Sequence, residues 1–498
     1  MGHPRKAVLG GTIAIALLGA AAAAASCPDA VGSGARDSLL PPEVVREDLT
    51  YLYRTLEAAH VDLFAHRPKA DYDREYRRLL DAIDGPLSTD EVTRCFLRFV
   101  AFGNVAHAHL DFPFGAYSEY AKGGGTILPL ELRVEAGRAL VLHDYSGDPQ
   151  LAPGTEVTSL DGQPIGWWAE RLGAYLAADT PYLRSALMET HGFARLLWLD
   201  GRERASFRVG VRTGGGTTEL TVPAIRASEM EAAARTRRAG RPEREVRSLE
   251  DGIAYLRPGP FFDTYDAVTR GEFDPRNFTA FVDSAFRQIL ASGATDLIID
   301  LRGNPGGDNS FSDKMLAWIA TEPFRFASRY TLKASATTRA WYREIASRDL
   351  PASDADAVRR LNAALAERRD GERFPFEVPL VPPREGPRYQ GQVYALTDRF
   401  SFSMATSVAA TIQDYRFGLV VGEETADLPT SYGSVARFTL PNTGLGVNYP
   451  KGYLVRPSGD ERVRGVVPDL PIALPPGAPA DDPGLAATVS LILGRRHR

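Results

Sequence analysis

Two continuous apolar runs in the C-terminal half constrain the fold more than any other feature of this chain. They are "DLIIDL" at 296–301 and "QVYALT" at 392–397. Uninterrupted runs of this length are typical of strands that are buried on both faces, as in a parallel sheet covered by helices. Helical patterns follow each run, so the region from Gly252 onward is predicted to be a layered α/β domain.

Shorter patterns divide the residues ahead of this domain. Apolar residues at helical spacing predict a helix over 41–60, and a capping box of Ser88 and Glu91 predicts the start of another. Residues 127–165 contain short strand patterns separated by turn residues. The polar and charged stretch at 226–250 indicates a connector.

The N-terminus has the pattern of a secretory signal. Two basic residues precede a long alanine-rich apolar run that ends in "AAAAASC". We therefore expect a signal over residues 1–27 and export to the bacterial periplasm or cell envelope. Cys27 occupies the position that is lipidated in bacterial lipoproteins. The alternatives are an uncleaved anchor, cleavage near Ser26, and a disulfide between Cys27 and Cys95.

Composition excludes some classes of partner. The net charge is −5, and charged residues make up 24% of the chain. Because the basic residues are not gathered into one broad face, we expect no nucleic-acid partner. The glycine-rich loop after the first apolar run lacks the Lys-Ser/Thr pair of a phosphate-binding loop. No cofactor is predicted.

Each apolar run leads into a loop that is suited to catalysis. "GNPGG" at 303–307 follows the first run, and its glycines allow backbone N–H groups to point toward a developing oxyanion. "RFSFSMATS" at 399–407 follows the second run. A serine at the start of the next helix is either an N-cap or a nucleophile. Composition and spacing leave the choice between Ser401 and Ser403 open.

The strings "LIIDLRGNPGG", "VYALTDRFSFSMATSVA" and "VVGEETA" together resemble the C-terminal processing and tricorn-core family of serine peptidases. The resemblance covers most of the chain after residue 40, and "APGTEVTSLDGQPI" resembles the end of a PDZ domain. The resemblance to the peptidase family implies an α/β fold with a Clp/crotonase-like spiral β-β-α catalytic domain. The implied order is an N-terminal helical region (38–118), a PDZ-like β domain (119–225), a charged linker (226–250), the catalytic domain (251–475) and a C-terminal tail or helix (476–498).

The resemblance also implies roles for particular residues. Ser403 takes the position of the nucleophile, and the amides of Met404 and Gly306 form the oxyanion hole, with Gly307 as the alternative to Gly306. Many relatives use a lysine base shortly after the "VGE.T" segment. In this chain Leu428 occupies the matching position, so a histidine base is expected instead.

"GNVAHAHLDF" supplies the histidine in this interpretation. His107 falls on the catalytic position, and His109 is its competitor. Glu461 is the expected acid and Asp460 the second choice, although an exposed charged turn explains both equally well. Alternatively, His107, His109 and Asp111 could share one face of a strand and bind a divalent metal. Three ligands within five residues usually require more elsewhere, and we expect no metal.

These features predict an exported serine endopeptidase, or a C-terminal-processing-type peptidase, that acts on peptides or proteins. The main alternative is a catalytically silent protein of the same fold that binds peptides or lipids. A metallohydrolase at the "HAHLD" segment is a weaker third hypothesis. Contact with a membrane is expected only through a lipid on Cys27.

Overall fold

The computed structural model describes residues 39–201, 203–238, 242–263, 274–347, 352–474 and 482–496. The predicted signal, including Cys27, lies outside these residues. Lipidation of Cys27 and its pairing with Cys95 therefore stay predictions. Within the described ranges, no helix is long and apolar enough to cross a membrane.

Helices dominate the N-terminal region, as predicted. The capping box is formed, because the Ser88 hydroxyl accepts the Glu91 N–H and the Glu91 carboxylate accepts the Ser88 N–H. Apolar side chains of these helices share one core with the β unit that follows. The elements are α1 (Pro42–Ala59), α2 (Lys69–Ala82), α3 (Thr89–Ala101), β1 (His109–Leu110) and α4 (Phe114–Lys122).

The region expected to be β-rich, 119–225, combines an antiparallel sheet with three helices that the sequence did not reveal. Its elements are β2 (Thr126–Ile127), β3 (Leu130–Glu135), β4 (Arg138–Asp144), β5 (Glu156–Leu160), β6 (Gln163–Pro164), α5 (Ile165–Gly173), α6 (Pro181–His191), α7 (Phe193–Leu199), β7 (Ser206–Thr213), β8 (Gly216–Pro223) and β9 (Ile225–Arg226). The main sheet has the order β3-β4-β5-β7-β8. Because α7 is buried on most sides, its apolar residues show no clear helical periodicity.

The described residues of the expected linker, 226–250, are mostly in regular structure. They contain α8 (Ala227–Arg238) and β10 (Glu245–Ser248), and β10 pairs antiparallel with β11 (Ile253–Arg257). This expectation is therefore corrected. Backbone hydrogen bonds at the edge of the sheet hold β10, so the strand does not depend on an apolar side-chain pattern.

The predicted layered α/β region is built on a six-stranded sheet. Its elements after β11 are α9 (Arg276–Ser292), β12 (Asp296–Asp300), α10 (Asn309–Leu316), β13 (Arg329–Lys333), α11 (Ala336–Ala346), α12 (Ala352–Ala366), β14 (Arg373–Pro375), β15 (Gln392–Thr397), α13 (Met404–Asp414), β16 (Leu419–Gly422), β17 (Ser431–Thr439), β18 (Gly446–Val455), β19 (Leu470–Pro471) and α14 (Pro483–Arg496). The strand order is β10-β11-β12-β15-β16-β19, with parallel pairing from β11 onward. Helices α9, α10 and α13 pack on one face and α14 packs on the other. The two apolar runs are the central strands β12 and β15, as predicted.

A second sheet joins the N-terminal region to this domain. Strand β18 pairs with β17 along one edge, and with β13 and β1 along the other. In the β1 pairing, His109 lies opposite Asn448 and Leu110 lies opposite Val447. The pairing holds the loop that carries His107 against the C-terminal half of the chain.

Candidate active site

Ser403 lies on a sharp turn between β15 and α13. Its backbone angles are φ 53° and ψ −120°, a backbone conformation that residues other than glycine rarely adopt. Strain of this kind is found where the surrounding structure holds a functional side chain in place. A similar strand-to-helix turn presents the nucleophile in α/β-hydrolases.

The two candidate serines differ in how their hydroxyls are used. Ser401 is fully buried, and its hydroxyl donates to the Leu301 carbonyl at 2.8 Å and accepts the Asp398 N–H at 3.1 Å. Ser403 is half-buried, and none of the hydrogen bonds of the described residues uses its hydroxyl. Ser401 therefore holds the loop together, whereas the Ser403 hydroxyl is available to a substrate.

The glycine loop after β12 lies directly against Ser403. A Cβ atom added at Gly306 would lie 2.7 Å from the Met404 nitrogen and 2.7 Å from the Ser403 Cβ. Only glycine fits this approach, and Gly306 also has a φ of 89°. The "GNPGG" loop and the serine loop, which are about a hundred residues apart, therefore meet as the resemblance implies.

The amides of this loop are not equivalent. The Gly306 N–H donates to the Asn304 side-chain oxygen at 2.9 Å. For the Gly307 N–H, no hydrogen bond is found among the described residues. The same is true of the Met404 N–H, which belongs to the first turn of α13, where amides have no partner within the helix. Of the two glycines, Gly307 has the amide that is free to bind an oxyanion.

His107 is buried beside the serine loop. Its ring centroid lies 5.3 Å from that of Phe402, the residue before Ser403, and its side chain is 8% exposed. The Ala106 N–H donates to the buried Asp179 carboxylate at 3.2 Å, which fixes the backbone next to His107. The Nδ1 atom of His107 is buried without a hydrogen-bond partner.

The surroundings of His109 and Asp111 differ from those of His107. His109 is exposed on β1, and Asp111 accepts hydrogen bonds from Arg437 and from the Asn448 side chain. In the part of the chain that the structure describes, no group of three or more histidine, cysteine or acidic side chains is arranged to hold a metal ion. The geometry gives the metal hypothesis no support.

Asp427 is a buried acid that sequence reasoning missed. Its Oδ2 accepts the Ser403 N–H at 2.6 Å, and its Oδ1 is buried without a partner. Burial raises the pKa of the Asp427 carboxyl above its ordinary value, although the nearby charge of His107 opposes this effect. Asp427 and His107 thus lie close together, and each has one buried polar atom without a partner. No local string marks Asp427, so the sequence held no signal of this placement.

Glu461, the predicted acid, lies in a different environment. Its side chain is 46% exposed and accepts hydrogen bonds from Arg329 at 2.6 Å and from the Tyr453 hydroxyl at 3.1 Å. Asp460 pairs with Arg462. None of the contacts found for Glu461 among the described residues is to His107. The structure brings together Ser403, His107 and Asp427, and places Glu461 in an exposed turn.

Comparison with known proteins assigns part of this chain to a family. Residues 266–472 match the sequence model of peptidase family S41. This region belongs to peptidase family S41. The family consists of serine-type peptidases. A search of curated protein sequences found no match.

Two solved structures share the fold of most of this chain. The structure of mature CPAF complexed with lactacystin has a TM-score of 0.57 at 16% identity, covering 86% of this chain and 94% of that chain. A CPAF mutant has a TM-score of 0.60 at 16% identity, covering 89% and 94%. At this level of identity, the likeness shows the fold alone.

A buried arginine links the serine loop of the S41 region to the preceding β unit. Arg399 is 2% exposed, and its guanidinium contacts three carboxylates and lies over one tyrosine ring. The partners are Glu135 at 2.7 Å, Glu189 at 2.7 Å, Glu423 at 3.1 Å and the ring of Tyr182. Glu135 and Glu189 come from β3 and α6, so this network fixes the start of the loop that ends in Ser403.

Proposed function

We propose that this protein is a serine endopeptidase, or a C-terminal-processing-type peptidase, in which Ser403 is the nucleophile. The observation that carries the proposal is the strained backbone of Ser403, with Asp427 bound to its amide and the unpaired His107 nearby. In the first step, His107 takes the Ser403 proton and the oxygen attacks a peptide carbonyl. His107 then protonates the leaving amine, and water releases the acyl group by the same route.

Two backbone amides are proposed as the oxyanion hole. The Met404 N–H lies at the N-terminus of α13, where the helix dipole favours negative charge. The second donor is the Gly307 N–H in preference to that of Gly306, because Asn304 already accepts the Gly306 N–H. Loss of one such donor typically costs about 10²–10³ in turnover.

Asp427 is proposed as the acid that orients His107. Its free Oδ1 could accept the Nδ1–H of His107 after a small movement, since both atoms are buried and unpaired. The contacts of Glu461 with Arg329 and Tyr453 leave it as the second candidate. A carboxylate in this position selects the tautomer of the imidazole and stabilises its protonated form.

The finer features of the architecture and location remain proposals. We propose that residues 119–225 form a PDZ-like domain, whose antiparallel sheet could bind an extended peptide at an edge strand such as β3 or β8. We also propose a spiral β-β-α arrangement for 251–475, and export directed by residues 1–27. Incorporation of labelled palmitate that is lost in Cys27→Ser would demonstrate the lipid anchor.

One observation favours the alternative of a catalytically silent binding protein. The bond between His107 Nδ1 and Asp427 Oδ1, which the mechanism needs, is absent, since both atoms are unpaired. Catalytic hydrogen bonds are often long without substrate, so this geometry is compatible with both functions. Binding of a peptide without cleavage would favour the alternative.

Labelling with a fluorophosphonate probe tests the proposal. We expect an adduct on the peptide that contains Ser403 in the wild-type protein, none on that peptide in Ser403→Ala, and much slower labelling of that peptide in His107→Ala. The matched control is His109→Ala, which should be labelled like wild type because His109 is exposed on β1. Lactacystin, with which CPAF was solved, is a second probe for the same serine. Equal labelling of wild type and Ser403→Ala would reject the proposal.

A further inference from the structure

A second serine with unusual geometry lies between β17 and β18. Gly433 pairs with Gly452 and Val435 with Pro450, which leaves Ser434 and Lys451 unpaired between these two positions. Ser434 has a φ of 55°, the left-handed conformation that residues other than glycine seldom adopt. The register is the same on both sides of this position, so Ser434 lies opposite Lys451 without the regular backbone pairing of the ladder.

Lys451 is buried against Ser434. Its side chain is 5% exposed, and its Nζ lies 2.7 Å from the Ser434 hydroxyl, 2.7 Å from the Ser434 carbonyl and 3.4 Å from the Val435 carbonyl. Among the described residues, no carboxylate forms an ion pair with this amine. A nucleophile and a base within hydrogen-bond reach, with the base held by further groups, are the signature of an activated serine.

The other groups around the amine come from three elements. Tyr342 of α11 lies with its ring centroid 5.3 Å from Nζ, and Tyr330 of β13 shares a hydrogen bond with the Ser434 hydroxyl. Asp308, just ahead of α10, acts on the amine only through its charge. Burial lowers the pKa of Lys451 to about 7, and Asp308 only partly opposes this effect.

The Lys451 Nζ donates to the Ser434 hydroxyl oxygen and to the Ser434 and Val435 carbonyls. When the amine loses its proton, two N–H groups remain for the carbonyls, and the lone pair can accept the Ser434 O–H. The hydroxyls of Tyr330 and Ser434 share a further hydrogen bond, in which the Tyr330 O–H can donate to the Ser434 oxygen. In this arrangement, every polar group has a partner and the serine proton points at its base.

We propose that Ser434 and Lys451 form a second nucleophilic centre that accepts the acyl group of a carboxylic ester. The Ser434 oxygen forms a bond to the ester carbonyl carbon while Lys451 takes the serine proton. The ester C–O bond then breaks, and the alcohol leaves with the proton from Lys451. Water hydrolyses the acyl-serine with Lys451 as base, so the products are an acid and an alcohol.

This centre is separate from the one at Ser403. It uses neither His107 nor Asp427, and it stands on the β17–β18 hairpin instead of the helix start at α13. Ser434 is half-buried and the neighbouring Val435 is 36% exposed, so this part of the hairpin borders solvent. The proposal therefore does not depend on the peptidase mechanism.

Acetylation by p-nitrophenyl acetate in the Ser403→Ala background tests the proposal. We expect mass spectrometry to find the acetyl group on Ser434, with a rate that rises about tenfold from about pH 6 to about pH 8 as Lys451 loses its proton. The adduct should be absent in Ser403→Ala/Ser434→Ala. In Ser403→Ala/Lys451→Met, the rate should fall by about 10²-fold or more.

Several results would overturn the proposal. They are no acetylation of Ser434 in folded Ser403→Ala, acetylation of Lys451 in place of Ser434, or an equal rate in urea-unfolded protein. If the Lys451→Met variant does not fold, the pH dependence of Ser434 acetylation in Ser403→Ala and the rate in urea-unfolded protein still test the proposal. Because every arm lacks Ser403, failure here leaves the proposed peptidase mechanism untouched.

Discussion

Two acidic residues near the C-terminal end of the chain lie in opposite environments. Asp427 is enclosed, with one oxygen on the Ser403 amide and the other without a partner. Glu461 is half-exposed, and both Arg329 and Tyr453 donate to it. The enclosed carboxyl has a raised pKa, and the exposed one has a lowered pKa. Environment, more than residue type, decides which acid can serve catalysis.

The difference also has an energetic side. A buried polar atom without a partner costs about 1–3 kcal/mol, so the pocket around Asp427 is less stable than its packing alone would make it. The turn around Glu461 carries no such cost, because its charges are paired and solvated. Unsatisfied groups that persist in a folded protein often mark a functional site.

The largest expected effect comes from the serine inside the enclosed pocket. Ser403→Ala should reduce peptide hydrolysis by about 10⁶-fold, because the nucleophile is lost while binding remains. The matched control is Ser458→Ala in the exposed turn, which should leave turnover unchanged. Single-turnover cleavage of a fluorogenic peptide measures both. Residual activity of Ser403→Ala above a tenth of wild type would place the chemistry elsewhere.

The second prediction compares the loss of the carboxylate at Asp427 with its loss at Glu461. Asp427→Asn should lower kcat by about 10⁴-fold, because the amide can no longer hold the imidazole in the required tautomer. Glu461→Gln should change kcat by less than about twofold, since its contacts are with Arg329 and Tyr453.

Both acid variants keep the size of the side chain, so kcat can be compared at matched folding. Far-UV circular dichroism and the thermal midpoint serve as the folding control. If Glu461→Gln is the inactive variant and Asp427→Asn is active, the assignment made from the family resemblance is right and the one made from the contacts is wrong.

Much of the fold was accessible from the sequence. The runs that form β12 and β15 are central strands because they are apolar throughout, and the Ser88–Glu91 box starts α3 because capping is a local interaction. Features that depend on tertiary contacts were missed. The edge strand β10 is held by backbone pairing, and α7 is too deeply buried to show a periodic pattern.

The candidate site also contains residues that local sequence predicts and residues that depend on tertiary contacts. Ser403 and the glycine loop follow from local strings, since each lies directly after a buried strand. Asp427 could not be recognised, because its role depends on burial and on an approach to His107 from another part of the chain. Glu461 was expected from the family resemblance, which carries no information about exposure. Lys451 has no local signal of this kind, because it meets Ser434 only across the paired strands β17 and β18.

The third prediction compares the buried Arg399 at the start of the serine loop with the exposed Arg329 beside Glu461. Arg399→Met should destabilise the protein by about 3–5 kcal/mol, because it removes the 2.7 Å ion pair of the buried Glu189 and leaves that carboxylate only Arg133, at 4.0 Å. Arg329→Met should have a much smaller effect, since its pair with Glu461 is exposed and water replaces the partner. Urea unfolding monitored by tryptophan fluorescence measures both. Similar losses in the two variants would mean that burial does not distinguish these regions.

The smallest expected effect is a pair of opposite pH slopes. The pKa of Asp427 is higher in the folded protein than its ordinary value of 3.8, so the folded state holds the proton more tightly. Its contribution to stability is therefore lost as the pH rises from 3.8 through the higher pKa of the folded state. Asp427→Asn should gain stability relative to wild type as the pH increases.

Glu461 should show the reverse. Its pKa is lowered from 4.5, chiefly by the hydrogen bond from Arg329, so its contribution is present above that value and is lost as the pH falls. Glu461→Gln should thus lose stability relative to wild type as the pH increases. Unfolding free energies from about pH 3 to about pH 7 give both differences. Slopes of the same sign would show that the two carboxyls share one environment, and the contrast between the pocket and the turn would fail.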